Sequence, residues 1–114
     1  SAGTFTSSAF DGGYTVSFNR FDAVFLQPSQ TTVKFQVAAA NAVSGSCTNA
    51  TYTFIGPGLT SDVLDVFTTG SPVPILTSGS YQNPGQCFKY KVFFTSNDPN
   101  QTPELDSFTL NYSP

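Results

Sequence analysis

Alternation of apolar and polar side chains is the feature that most constrains how these 114 residues can fold. In residues 32–39 the odd positions are apolar, whereas Lys34 and Gln36 occupy even positions. Residues 87–94 and 107–112 alternate in the same way. Because successive side chains of a strand point to opposite faces, this period predicts strands with one buried and one solvated face. Such strands are typical of antiparallel sheets.

The segment 14–26 also alternates, but its apolar parity changes at Asn19 and Arg20. Continuous pairing across that change would turn core side chains toward solvent, so we expect a short turn or a β-bulge there. Turn signals rich in Gly, Pro and Asn recur along the chain, and no segment combines helical periodicity with helix caps. The sequence therefore predicts one all-β domain over residues 1–114, an antiparallel β-sandwich or jelly roll.

Composition excludes several classes of function. The chain contains no His, Met or Trp, which removes imidazole acid–base chemistry and His-based metal sites. With four Lys and Arg and a net charge of -3, it has no basic footprint for nucleic acid. No stretch approaches the roughly 20 apolar residues of a membrane span, and a Ser or Thr nucleophile would lack a base. We expect a non-catalytic protein with neither a nucleic-acid partner nor a membrane span.

Cys47 and Cys87 are the only cysteines. Two lone thiols are a poor metal site, and a catalytic cysteine would lack a His base. We therefore expect a disulfide that closes a loop of roughly 40 residues, with two reduced, half-buried thiols as the alternative. A disulfide implies an oxidising compartment. Together with a charged fraction of only 10%, it predicts a secreted protein, extracellular or on the cell surface.

Two groups of acidic residues are candidates for chemistry. Asp62 and Asp65 would share one side of a helical turn, as a pair of catalytic carboxylates requires, but a solvated turn is the expected alternative. A second, oxygen-rich group is a candidate for structural calcium, because such loops bind Ca²⁺ in many extracellular β-modules. Pro99 and Pro103 interrupt its ligand spacing, so turn capping is the alternative. The group consists of Asp98, Asn100, Glu104 and Asp106. No other cofactor is expected.

Aromatic residues make up 15% of the chain, and most of them are Phe at apolar positions of the predicted strands. This placement predicts a packed core. A sugar-stacking platform is the other interpretation, and the absence of Trp disfavours it. Three aromatic residues outside the clear core pattern are candidates for a binding surface or a subunit contact: Phe67, Tyr81 and Phe93.

The order of motifs along the chain resembles a known family. The chain opens with GTFTSSAFDGG, continues with SFNRFDAVFLQPSQTTVKFQVAAAN and TFIGPG, and ends with CFKYKVFFTSNDPNQTPELDSFTLNYS. These motifs cover most of the chain and resemble a family of β-sandwich domains in bacterial secreted and surface proteins. The size of the chain also resembles the β-rich globular partner chain of split type IV pilins of the geopilin type. In those pilins a second, short chain forms a hydrophobic assembly helix.

The resemblance implies a structural subunit of a bacterial pilus or surface filament, and it implies no active-site residues. Unlike ordinary pilins, this chain shows no N-terminal helix, so it would dock on a separate short hydrophobic helical chain. The alternative is a carbohydrate-binding or adhesin module with glycans as its partners, because such modules share the jelly-roll architecture.

Overall fold

The computed structural model describes residues 1–76 and 83–114, which form strands, turns and loops and contain no helix. Six antiparallel strands build one connected sheet. They are β1 (Ala2–Thr6), β2 (Phe10–Leu26), β3 (Thr31–Ala40), β4 (Val73–Pro74), β5 (Gly85–Ser96) and β6 (Glu104–Ser113). The all-β antiparallel prediction is confirmed, and the three clearest alternating segments are β3, β5 and β6. The finer division into a sandwich or a jelly roll stays a prediction.

Strand β2 connects the two halves of the sheet. Its residues 10–16 pair with β5, and its residues 17–26 pair with β6. A register shift lies between Phe18 and Arg20, where the sequence predicts a turn or a bulge. The structure shows a bulge within a continuous strand. Because the bulge resets the alternation, Phe18 and Phe21 are both fully buried.

Strands β1, β3, β4 and β6 each pair with only one other strand among the described residues. Strand β5 is central, with β3 along one edge and β1 and the start of β2 along the other. Strand β1 pairs with β5 alone, and β6 pairs with β2 alone. The far edge of β3 is different, because Phe35 and Val37 form bridges with Phe67 and Ile55.

The core is aromatic and joins both halves of the sheet. Phe21 of β2 stacks on Phe108 of β6 with ring centroids 4.8 Å apart, and it lies 5.7 Å from Phe35 of β3. Ring pairs at such distances add to the stabilisation that apolar burial provides. The core prediction for most Phe residues is confirmed for the rings that are fully buried: Phe18, Phe21 and Phe35.

The second face of β3 and β5 differs from the expectation. Gln36 was expected on the solvated face, but it is only 4% exposed. Its Nε2 donates hydrogen bonds to the carbonyl oxygens of Asp62, at 3.1 Å, and Asp65, at 3.0 Å. The loop that carries these carbonyls covers this part of the sheet. Alternation distinguishes the two faces of a strand, but it does not reveal a loop that packs on the polar one.

The predicted disulfide is present. Cys47 and Cys87 are joined with their Cα atoms 5.5 Å apart. The bond links the start of β5 to the loop after β3. The two cysteines form a small cluster with Ala40 and Tyr52. The alternative of two reduced thiols is wrong. The bond is consistent with an oxidising compartment.

Candidate functional site

An apolar groove runs between β1, one face of β5 and β6. It consists of two adjoining cavities of about 630 and 360 Å³, which share Tyr90 and Phe108 in their walls. We call the two cavities together the β1–β6 groove. Its main apolar lining is Phe5, Phe10, Tyr90, Phe94, Phe108 and Leu110.

The groove exists because β6 covers only part of the inner face of β5. Along that face Val92 is fully buried, whereas Tyr90 and Phe94 remain half-buried. The ring of Tyr90 stacks on Phe108 with centroids 3.8 Å apart. Burial at this position raises the pKa of the Tyr90 phenol. The floor is thus a set of packed rings that the fold leaves partly open to solvent.

Phe5 is the most exposed ring of the groove, with 50% of its surface accessible. It lies on β1 opposite Val92, and its ring centroid is 6.2 Å from that of Tyr90. An apolar residue in an alternating segment, such as Phe5, has the sequence signature of a core residue. Phe5 is exposed because one edge of β1 has no strand partner, and alternation in the sequence does not show which edges stay unpaired.

The rim of the groove is acidic at one end. Glu104 and Asp106 line the larger cavity, and the described lining of both cavities contains no Lys or Arg. Both acidic residues are exposed on β6.

The opposite face of the paired strands β3 and β5 carries three of the four basic residues. Lys89 and Lys91 alternate with the groove residues of β5, and Lys34 lies opposite Phe93 in the β3–β5 pairing. The Lys89 Nζ lies 4.6 Å from the centroid of the Tyr52 ring. The Lys91 Nζ lies 4.4 Å from that of Phe54. We call Lys34, Lys89 and Lys91, with these rings and Phe93, the lysine face.

The three aromatic candidates do not come together. Phe67 is half-buried and packs on the core, with its ring centroid 5.4 Å from that of Phe21. Phe93 is half-buried on the lysine face. Tyr81 lies outside the described residues.

The calcium candidates divide between a turn and the groove. Asp98 Oδ1 accepts a hydrogen bond from the Asn100 backbone N–H at 2.9 Å, which is the turn capping proposed as the alternative. Glu104 and Asp106 belong to the groove rim instead. Among residues 1–76 and 83–114, no group of three or more His, Cys, Asp or Glu is placed to hold a metal ion. The calcium prediction gains no support from this arrangement.

Asp62 and Asp65 form hydrogen bonds within the loop that contains them. The Asp65 carboxylate accepts hydrogen bonds from the backbone N–H groups of Gly58 and Thr60, each at 2.9 Å, and from the Thr60 hydroxyl at 2.7 Å. These bonds hold the pKa of Asp65 below its ordinary value, with the Gly58 N–H as the largest cause. The chain approaches so closely here that a side chain at Gly56 would collide with the Asp65 carbonyl oxygen. Both observations fit the expected solvated turn.

Comparisons with protein-family models, with curated proteins and with solved structures found no match to this chain. The resemblance to secreted β-sandwich domains and to split pilins therefore stays a prediction. No helix of the described residues is long and apolar enough to cross a membrane.

Proposed function

We propose that this protein is a non-catalytic structural subunit of an extracellular filament or pilus, and that it docks on a separate hydrophobic helical chain through the β1–β6 groove. The observation that carries the proposal is the groove itself, which leaves several aromatic rings partly exposed between β1, β5 and β6. Contiguous apolar patches of this kind are uncommon on monomeric proteins and mark interaction surfaces.

The shape of the groove suits a helix. Strand β6 lines it with residues 104–110, which span about 24 Å at ~3.4 Å per residue. About 16 residues of helix have the same length. An amphipathic or apolar helix docks by placing side chains at i, i+3, i+4 and i+7 against such a floor. Phe5, Tyr90 and Phe10 offer successive apolar contacts along the groove.

The surface and the disulfide support an extracellular setting. Only 10% of the residues are charged, and the disulfide requires oxidising conditions to form and persist. Both features are compatible with a filament subunit outside the cell.

A carbohydrate-binding or adhesin module is the second candidate, because Phe5 lies beside carboxylates that can accept hydrogen bonds from sugar hydroxyls. Stacking of Tyr90 on Phe108 leaves fewer free ring faces than a sugar platform needs. This packing favours a protein partner for the groove.

The test is capture of the partner from the source organism with purified protein, followed by sequencing of the captured chain. We expect wild-type protein to retain a short, apolar chain that is helical by circular dichroism. Phe5→Ser places a hydroxyl in the groove and is expected to reduce that capture at least about tenfold, equivalent to roughly 1.4 kcal/mol.

Tyr14→Ser is the matched control, because Tyr14 is 57% exposed and lies outside the lining of both cavities. It should leave capture unchanged. Equal capture by Phe5→Ser and wild type, a captured chain without an apolar helix, or retention on immobilised glycans alone would each contradict the proposal.

A further inference from the structure

The charged residues of this protein divide into those with internal partners and those without, and all of them lie in the described part of the chain. Arg20 Nε and Asp22 Oδ2 form an ion pair at 3.1 Å. Four other aspartates accept hydrogen bonds from backbone N–H groups of their own turns. They are Asp11, Asp62, Asp65 and Asp98. These six charges contribute to local structure.

The remaining five charges have no such partner. Lys34, Lys89 and Lys91 lie farther than 4.0 Å from every carboxylate of the described residues. Glu104 and Asp106 accept no hydrogen bond from the residues that the structure describes. The fold therefore leaves three cations and two anions without an oppositely charged partner, and Lys89 and Lys91 each contact only an aromatic ring.

These leftover charges are separated by sign onto opposite sides of the sheet. Lys89 and Lys91 point to one face of β5, because they alternate with Tyr90 and Phe94. The latter two residues share the larger cavity of the groove with Glu104 and Asp106. The three lysines are half-buried beside the loop that covers Gln36, and they lie on the face of the paired strands β3 and β5 opposite the acidic rim.

We infer that copies of this protein associate head to tail, with the lysine face of one copy against the Glu104–Asp106 rim of the next. The partner is a second copy, because each surface carries the charges that complement the other and a chain of net charge -3 supplies both. Like-charged arrangements, face to face or rim to rim, are repelled, so charge alone selects the orientation.

Aromatic rings accompany the charges of the lysine face, where Tyr52, Phe54 and Phe93 are half-buried. Aromatic residues are enriched at protein interfaces. Because the two surfaces differ, a pair of copies still has one free lysine face and one free acidic rim. Further copies can bind there, so the contact extends into a row instead of forming a symmetric dimer. The inference needs no helical partner, although such a row would suit a filament.

The experiment measures self-association of the purified protein by sedimentation velocity at about 20 mM and about 500 mM salt, where screening lengths differ severalfold. We expect concentration-dependent association at low salt that weakens at least about tenfold at high salt. Two charge-reversal variants should each be monomeric at low salt: Glu104→Lys/Asp106→Lys, and Lys34→Glu/Lys91→Glu.

An equimolar mixture of the two variants should associate again. The intact acidic rim of Lys34→Glu/Lys91→Glu can bind the intact lysine face of Glu104→Lys/Asp106→Lys. The glutamates of the first variant's lysine face can likewise bind the lysines of the second variant's rim. This rescue identifies the two surfaces as partners, which loss of association alone does not. The side chains of Glu104 and Asp106 form no ion pair or hydrogen bond with the described residues, so the rim variant carries the test if the loss of the Lys91–Phe54 contact unfolds the other variant.

A matched control separates the acidic rim from net charge. Glu104→Gln/Asp106→Asn and Thr15→Lys/Thr69→Lys each raise the net charge by two units, and both threonines are exposed outside the two surfaces. The first pair should weaken association about tenfold, and the second should leave it as in wild type. Monomeric wild type at low salt, association that salt does not change, or a mixture that stays monomeric would overturn the inference. None of these outcomes alters the capture result with Phe5→Ser, so the two proposals fail separately.

Discussion

At the scale of single residues, the Asn83 side chain forms hydrogen bonds with the backbone of β2 beside its bulge. It is 2% exposed, its Oδ1 accepts from the Phe18 N–H at 2.9 Å, and its Nδ2 donates to the carbonyls of Phe18 and Leu76 at 2.9 and 3.0 Å. Asn83→Leu leaves these buried backbone groups unpaired. We expect the free energy of unfolding to fall by about 2–4 kcal/mol.

Urea denaturation followed by circular dichroism measures this change. Asn111→Ala, at an exposed position on β6, is the control and should change stability by less than about 0.5 kcal/mol. An equally small effect at position 83 would show that water replaces the side chain. Asn83 begins the sequence Asn-Pro-Gly, which is typical of a turn, but this pattern does not show that the side chain points back into the core.

Asp65 gives a pH-dependent effect at the same scale. Its pKa lies below the ordinary value of 3.8, because Gly58 and Thr60 donate hydrogen bonds to the ionised form. A depressed pKa stabilises the fold above the ordinary value, and that contribution is lost as the pH falls through the lower, folded-state pKa. We expect wild type to have a higher melting temperature than Asp65→Asn at neutral pH, and the difference to shrink below pH 3.8.

Melting curves of both proteins from about pH 7 to about pH 2 test this expectation. A difference that stays constant across that range would mean that the charge of Asp65 does not matter to the loop.

At the scale of elements, the disulfide restrains the loop that follows β3. Cys47 and Cys87 are 40 residues apart, so the bond limits a long segment of the unfolded chain. Cys47→Ser/Cys87→Ser is expected to lower the free energy of unfolding by about 3–4 kcal/mol on the chain-entropy estimate. Urea denaturation with and without a reductant measures the difference. The reductant should lower the stability of wild type to that of the double variant and leave the variant unchanged, whereas an insensitive wild type would contradict the prediction.

The strands themselves show what alternation can and cannot predict. Strands β3, β5 and β6 follow directly from it, and so does the bulge near Asn19. Residues 51–55 and 63–68 form only isolated bridges to β3, through Ile55 and Phe67. Their side chains have the composition of a strand, but the loop around Asp65 determines the path of the backbone. Local pattern decides whether a segment can be extended, and tertiary contacts decide whether it pairs.

The candidate site could not be predicted for a related reason. A groove depends on which strand edges stay unpaired, and edge pairing is a property of the assembled sheet. Phe5 and Phe35 have the same sequence signature, yet Phe35 is fully buried and Phe5 is half-exposed. Glu104 and Asp106 were identified as acidic, but their place on the rim follows from the pairing of β6 with β2 alone.

At the scale of the whole molecule, an open groove on a folded protein should bind small apolar probes. The molecule measures 46 × 24 × 23 Å, and the larger cavity of the groove is about 630 Å³, enough for a fused-ring dye. We expect the native protein to enhance the fluorescence of an anilinonaphthalene dye, and Phe5→Ser to reduce that enhancement severalfold.

Tyr14→Ser should leave the enhancement unchanged, since that ring lies outside the groove. Near-ultraviolet circular dichroism distinguishes this binding from the dye uptake of loosely packed states, because native packing retains its aromatic signal. If the groove is the docking surface, a captured helical chain displaces the dye, and the same rings that bind the probe bind the helix. Dye binding that survives Phe5→Ser would place the accessible apolar surface elsewhere on the molecule and remove the observation on which the docking proposal rests.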